Sequence, residues 1–219
     1  MKSFISEDDI EQAICNRLSL PEYGWKRIEC DARVEAQDDV STTGRANPSE
    51  CILPDVFLAA LKRLNPQVEE GVLQGILRNF RKDYTATDMV ETNYKLYNQL
   101  RNGIKKPVRK NGKEDFDIVR LIDFDHPERN DFHCVNQMWI KGHYRYRRPD
   151  VLHFVNGLPV VFIELKNSTV KVEESYNKNL TSYRKDIPNI FSFNQICVLS
   201  NGLQTKIGAW NSRYEFFFE

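Results

Sequence analysis

Residues 149 to 166 read PDVLHFVNGLPVVFIELK, and the placing of charge against apolarity in this stretch decides the fold. Two runs rich in β-branched and aromatic residues flank Asn156 and Gly157, a pair typical of hairpin turns. Val160 to Ile163, with Leu165, form a nearly continuous apolar run, as expected of a central strand buried on both faces. Inside such a strand Glu164 and Lys166 are costly unless they are paired, bound to metal or facing a cleft. They lie two residues apart and so share a face.

Whether Asp150 joins them depends on the turn. A two-residue loop at Asn156 and Gly157 would set Asp150 against Ile163, pointing away from Glu164. A three-residue loop from Val155 to Gly157, with Gly157 left-handed, would set it against Phe162, diagonally beside Glu164. The three-residue loop is therefore the expectation. Two carboxylates and an ammonium at one place suit metal-dependent hydrolysis of a phosphodiester. Asp150 and Glu164 would hold Mg²⁺ with a main-chain carbonyl such as that of Leu165. Lys166 would orient or deprotonate the water, or steady the transition state. The same spacing also permits a buried Glu–Lys pair beside a surface Asp.

Upstream, KGHYRYRR (141 to 148) runs straight into Asp150 and interleaves Lys141, Arg145, Arg147 and Arg148 with two tyrosines. These four cations are the candidate DNA contacts, because a phosphate would approach here. RNGIKKPVRKNGK (101 to 113) is also basic and reads as a solvated loop.

Farther out, Ser6 and Asp9 precede an apolar set at Ile10, Ala13, Ile14 and Leu18, a capped amphipathic helix with Glu11 at the edge of its buried face. Residues 36 to 49 read as a mobile loop. Helices are predicted over Pro54 to Leu64, about 67 to 83, and about 86 to 102, the last stopped by Gly103. From Phe116 strands take over: FDIVRLIDF, FHCVNQMWIKG, the hairpin, QICVLS (195 to 200), LQTKIGAW (203 to 210) and RYEFFFE (213 to 219). A helix over 172 to 185 interrupts them. The expected fold is α/β (α+β), a central mixed sheet flanked by helices. Its core covers about 1 to 35 and 114 to 219, with a small helical insertion or subdomain at about 50 to 104. The apolar ending Phe216 to Phe218 reads as a strand cut short, as in a piece of a longer polypeptide.

Five scattered cysteines, none in C-x-x-C spacing, argue against a disulfide framework and a cysteine zinc site and point to a reducing, cytoplasmic setting. There is no membrane-length apolar run and no Walker-type phosphate loop. His126, His133, His143 and His153 show no metal-ligand spacing, and His153 reads as structural. Net charge is zero, which gives no global signature of a nucleic-acid binder.

RRPD (147 to 150), FVNGLP (154 to 159) and ELK (164 to 166) together resemble the nuclease region of type I restriction endonuclease R subunits, within the PD-(D/E)xK superfamily. The stretches 119 to 137 and 186 to 195 extend the likeness. The resemblance implies a restriction-endonuclease-like core with Asp150, Glu164 and Lys166 as catalytic acid, acid and lysine. Glu11 matches a helix glutamate often found near such sites. The family's Gln-x-x-x-Tyr is matched by Tyr183, but four residues earlier stands Asn179, whose amide has a shorter reach. The implied enzyme is a type I site-specific deoxyribonuclease that cuts double-stranded DNA using Mg²⁺. Its R subunit takes ATP through motor domains whose motifs are absent from this chain, and it assembles with modification and specificity subunits. Two alternatives remain open: a non-catalytic module docking the motor onto the methyltransferase core, and a repair or transposition nuclease of the same superfamily.

Overall fold

A computed structural model describes residues 4–30, 39–82, 84, 88–110 and 113–219. The chain opens with α1 (Glu7–Leu18), β1 (Lys26–Glu29) and α2 (Asp39–Thr43), then α3 (Pro54–Leu64), α4 (Glu70–Phe80) and α5 (Met89–Asn102). Next come β2 (Ile104–Lys110), β3 (Lys113–Val119), β4 (Phe132–Asn136), β5 (Ile140–Lys141), β6 (Tyr146–Arg147), β7 (Val151–Val155) and β8 (Leu158–Leu165). α6 (Val172–Glu174), a π-helical segment (Ser175–Leu180) and α7 (Thr181–Asp186) run directly into one another, and β9 (Ile196–Ser200) and β10 (Thr205–Gly208) complete the set.

Six strands form one mixed sheet in the order β1-β4-β7-β8-β9-β10. β4, β7 and β8 run antiparallel in succession, while β1 joins β4 and β9 joins β8 in parallel. The predicted α/β class with a mixed sheet flanked by helices therefore holds. Ile10 and Cys15 of α1 pack with Val151, Ile163 and Leu165. Leu180 and Tyr183 pack with Leu152 and Phe162, which alternate with them along the strands and so lie on the opposite face. α3, α4 and α5 bury Phe57, Ile76, Phe80 and Leu100 in a cluster that also takes in Leu158 of β8 and Phe193. Among the described residues, no helix is long and apolar enough to cross a membrane.

The hairpin departs from the expected turn. Val155 pairs with Leu158 and Phe154 with Pro159, so the loop is the two-residue Asn156-Gly157, both residues at positive φ (50° and 80°). His153 then pairs with Val161, which leaves Val160 as an extra residue in β8. The bulge lies in the strand instead of the turn. From there Leu152 faces Phe162 and Val151 faces Ile163, and one more step sets Asp150 opposite Glu164. Asp150 and Glu164 thus share a face, as direct opposites and not as diagonal neighbours. The turn is fixed by burial: Asn156 donates to Leu121 O and Asn130 Oδ1 and accepts from Asp131 N, each at 2.8 Å.

Other expectations need correction. Among its described residues, the basic run from 101 onward is not a loop: it forms the last residues of α5, then β2 and the start of β3, with 111 and 112 outside the described residues. In 36–49, residues 36 to 38 lie outside the described residues, and the remainder is anchored. α2 occupies 39–43, and buried Arg45 donates to the carbonyls of Glu50 and Trp139, each at 3.0 Å. The segment FDIVRLIDF is strand only to Val119. RYEFFFE is a single 3₁₀ turn (Tyr214–Phe216) and then an isolated bridge between Phe218 and Ile207. Phe217 alone of the three phenylalanines is buried, against Gly208.

Candidate active site

Three elements converge at the open end of the β7–β8 hairpin. Asp150 precedes β7, Glu164 lies near the end of β8, and Lys166 comes just after that strand. Asp150 Oδ2 accepts the Leu165 N–H at 2.7 Å. Lys166 Nζ donates to Leu165 O at 2.7 Å and to Glu164 Oε1 at 3.4 Å. Its backbone N–H bonds Ser200 O at 2.8 Å, which holds it to the end of β9. The acid, acid and lysine marked in the sequence are therefore brought together.

Glu164 is 1% exposed. Its Oε1 takes hydrogen bonds from Lys166 and from the Asn179 side chain, while Oε2 is buried without a partner. Burial above all, then the charge of Asp150, hold the Glu164 carboxyl well above the usual carboxylate range. Burial likewise pushes Asp150 up to about 6, against the opposing pull of the Leu165 N–H and the Lys166 ammonium. Two desolvated carboxyls that resist ionisation together are an arrangement that a divalent cation would relieve.

Asn179 reaches Glu164 from the π-helical segment, whose wider turn is marked by the bond from Thr181 N–H back to Tyr176 O. Tyr183, one turn on, donates its hydroxyl to Arg148 O at 3.3 Å and sets its ring edge-on to Phe162. Both residues thus stand at the site, Asn179 on the acid itself and Tyr183 on the chain leading to Asp150.

Glu11 enters from α1, whose Ser6–Asp9 capping box fixes the helix start. It is 5% exposed, and its two oxygens accept the side-chain amides of Asn136 (2.8 Å) and Gln137. Neither amide stood out in the sequence: polar residues at a strand end usually face solvent, and no local pattern announces the left-handed backbone of Gln137. Glu7, also missed, lies 3.8 Å from Lys166 Nζ. Between these groups opens a cleft of about 520 Å³ lined by Glu7, Glu11, Asn136, Gln137, Arg148 and Asp150, among others. A larger cavity, about 690 Å³, is lined by Leu100, Phe124, Val160 and Ile196 among others and holds none of the predicted site residues.

The four candidate DNA cations separate into two kinds. Lys141 and Arg145 are exposed on the β5–β6 hairpin, with fully exposed Tyr144 between them. Arg148 lies over the Trp139 ring and lines the cleft. Arg147 instead grips Asp186 through two bonds of 2.8 and 2.5 Å. His153 is wedged against Trp25 with its ring held neutral by burial, its pKa lowered to about 4. Among the described residues, no three His, Cys, Asp or Glu side chains gather as a metal cluster. A cation here would rest on Asp150 and Glu164, with the Leu165 carbonyl and solvent or phosphate oxygens completing it, the sparse protein ligation that Mg²⁺ accepts.

A mixed sheet with helices on its faces, and two acids and a lysine at the end of one hairpin, places the chain in the restriction-endonuclease-like class. Within that class the chain belongs to the family described as type I restriction enzyme R protein N terminus, whose profile matches residues 4–216. The chain is 30% identical over 218 residues to the type I restriction enzyme HindI endonuclease subunit of Haemophilus influenzae, an alignment covering 97% of this chain and 20% of that one. It is 33% identical over 182 residues to the MjaIXP sequence of Methanocaldococcus jannaschii, covering 80% and 17%. With the type I restriction enzyme SsaAORF53P endonuclease subunit of Staphylococcus saprophyticus it shares 28% over 102 residues, covering 47% and 11%. The chain spans about a fifth of the length of the first of these relatives.

Proposed function

We propose that this chain is the Mg²⁺-dependent endonuclease domain of a type I restriction R subunit, hydrolysing phosphodiester bonds of double-stranded DNA. The observation that carries the reading is the partnerless Oε2 of buried Glu164, in a site where Asp150 and Lys166 meet the same strand. A buried polar atom left unsatisfied is expensive and is expected where a ligand completes it. When bound, Mg²⁺ would supply charge for the phosphate and leaving oxygens and lower the pKa of a bound water.

The chain's own residues do the rest. Asp150 and Glu164 hold the cation, and the Leu165 N–H fixes the Asp150 carboxylate. Lys166 orients the attacking water and stabilises the charge that builds on phosphorus-bound oxygens. Asn179 holds Glu164 in place, and Tyr183 steadies the backbone at Arg148 that leads to Asp150. Lys141, Arg145 and Arg148 attract the DNA backbone. Residues 1–219 act as one nuclease domain, with the helical part at 50 to 104 packed against the core.

Cutting in the complete enzyme is driven by ATP through motor domains outside this chain, in a cytoplasmic complex with modification and specificity subunits. The family membership and the relatives' names as endonuclease subunits support this reading. Nicking of supercoiled plasmid in Mg²⁺ at low salt tests it, with Asp150→Ala and Glu164→Ala as comparisons. Cleavage by the wild type and not by the variants is expected. Equal cleavage by all three would defeat the assignment.

A further inference from the structure

Gln137 comes directly after β4 with its backbone in the left-handed region, at φ 58°. A side chain with a Cβ rarely adopts that conformation, and among the described residues only Asn156 and Gln137 do so without being glycine. Asn156 closes a hairpin; Gln137 closes none. It stands where β4 stops short of β5, and its own bonds explain the conformation. Its backbone N–H donates to Asp150 O at 2.9 Å, and its side-chain amide donates to Glu11 Oε2. The preceding residue, Asn136, pairs with Val151 across the β4–β7 ladder and donates to the other oxygen of Glu11 at 2.8 Å. One dipeptide thus grips both oxygens of a buried helix carboxylate and the backbone of Asp150. Extended backbone at 137 would turn the side chain to the other face of the strand and break this link.

We propose that Gln137 is a positioning residue for the nuclease site, fixing Glu11 of α1 relative to Asp150 so that the cleft between them keeps the spacing its ligand needs. The inference rests on the assignment of Asp150 and Glu164 as the metal-holding acids. It predicts that the amide of Gln137 matters to ligand affinity and turnover and that the fold does not depend on it.

The discriminating variant is Gln137→Gly, because glycine takes the left-handed backbone freely while the amide is removed with its side chain. Gln137→Asn, which also tolerates that backbone and carries a shorter amide, is the companion. Mn²⁺ binding to the chain is measured by calorimetry, alongside thermal melting, with Asp150→Ala as reference. The expected result for Gln137→Gly is a folded chain with a melting temperature within a few degrees of wild type and Mn²⁺ affinity reduced about 10-fold, the usual effect of losing an outer-shell hydrogen bond beside a metal site. Gln137→Asn should fall between it and wild type. Where plasmid cleavage is measured, kcat should fall while KM for DNA stays put. Wild-type affinity in Gln137→Gly, with Asp150→Ala defective, would overturn the inference and spare the nuclease reading. A Gln137→Gly that fails to fold would make the residue a structural brace and overturn it as well. Wild-type affinity in Asp150→Ala would remove the metal assignment on which the inference stands.

Discussion

Asp150 Oδ2 accepts the Leu165 N–H at 2.7 Å, so a single hydrogen bond ties the acid before β7 to the backbone between Glu164 and Lys166. The bond forms because the Val160 bulge brings Asp150 opposite Glu164. It also leaves two carboxyls close together in a desolvated place, and that strain has consequences for stability and for its pH dependence.

Without metal, the acids destabilise the fold that holds them. Asp150→Asn and Glu164→Gln should each raise the melting temperature of the metal-free chain. A gain of about 1–2 kcal/mol, or roughly 2–8 °C, is expected from removing a buried like charge. Each should also abolish the further rise that Mg²⁺ is expected to give the wild type. Calorimetric melting with and without Mg²⁺ reads both effects.

The pH dependence has a definite sign. Asp150 is raised by burial from 3.8 to about 6, so between those values the folded state binds more protons than the unfolded one. Its contribution to stability is fully present below about pH 4 and is lost as pH climbs through 6. The metal-free chain should therefore lose stability from pH 4 to 6 relative to Asp150→Asn. Over the same range Mg²⁺ affinity should rise, because the cation displaces the proton. Chemical denaturation at several pH values checks the first, and titration calorimetry the second.

The turn should be intolerant of side chains. A Cβ on Gly157 would lie 2.6 Å from Leu53 O and 2.8 Å from Phe57 N, on a backbone at φ 80°. Gly157→Ala should cost about 2 kcal/mol or more and lower the melting temperature by at least about 4 °C. Gly24→Ala, also at positive φ but with nothing within 4 Å of the added carbon, should cost less.

Arginines only two apart should behave differently. Arg147→Ala removes a charge-assisted pair with Asp186 and should cost about 1–3 kcal/mol of stability. Arg145→Ala, from an exposed position, should leave stability within about 0.5 kcal/mol. It should instead weaken duplex DNA binding and reduce the slope of log affinity against log salt by about one. Melting curves and fluorescence anisotropy across a salt series separate the two roles.

Much of this was legible in the chain because the signals were local. The Ser6–Asp9 cap, the Pro54 start, the Gly103 stop and the position of the hairpin at Asn156 and Gly157, though not the length of its turn, each depend on neighbours a few residues away. So did the mismatch of Glu164 and Lys166 with an apolar strand. What escaped depended on partners far away in sequence. The Val160 bulge answers to packing on both faces of β8, where Val160 joins the helical cluster and Val161 the α1 cluster. The conformation of Gln137 answers to Glu11, over a hundred residues earlier. The four residues of β1, only partly covered, pair with β4 along one edge and carry little apolar signal. At the other end, RYEFFFE has the composition of a strand, yet only Phe217 finds a buried place.

If Asp150, Glu164 and Lys166 form one hydrolytic site, Lys166 is the residue whose loss should separate cutting from everything else the enzyme does. The measurement is cleavage of circular DNA by the full-length protein containing this chain, reconstituted with the modification and specificity subunits proposed above and supplied with Mg²⁺ and ATP. Wild type is compared with Lys166→Ala, and ATP hydrolysis is recorded in parallel. The variant should keep its ATP hydrolysis and lose cleavage by at least about 100-fold. Cleavage at the wild-type rate by Lys166→Ala would contradict the assignment of the site.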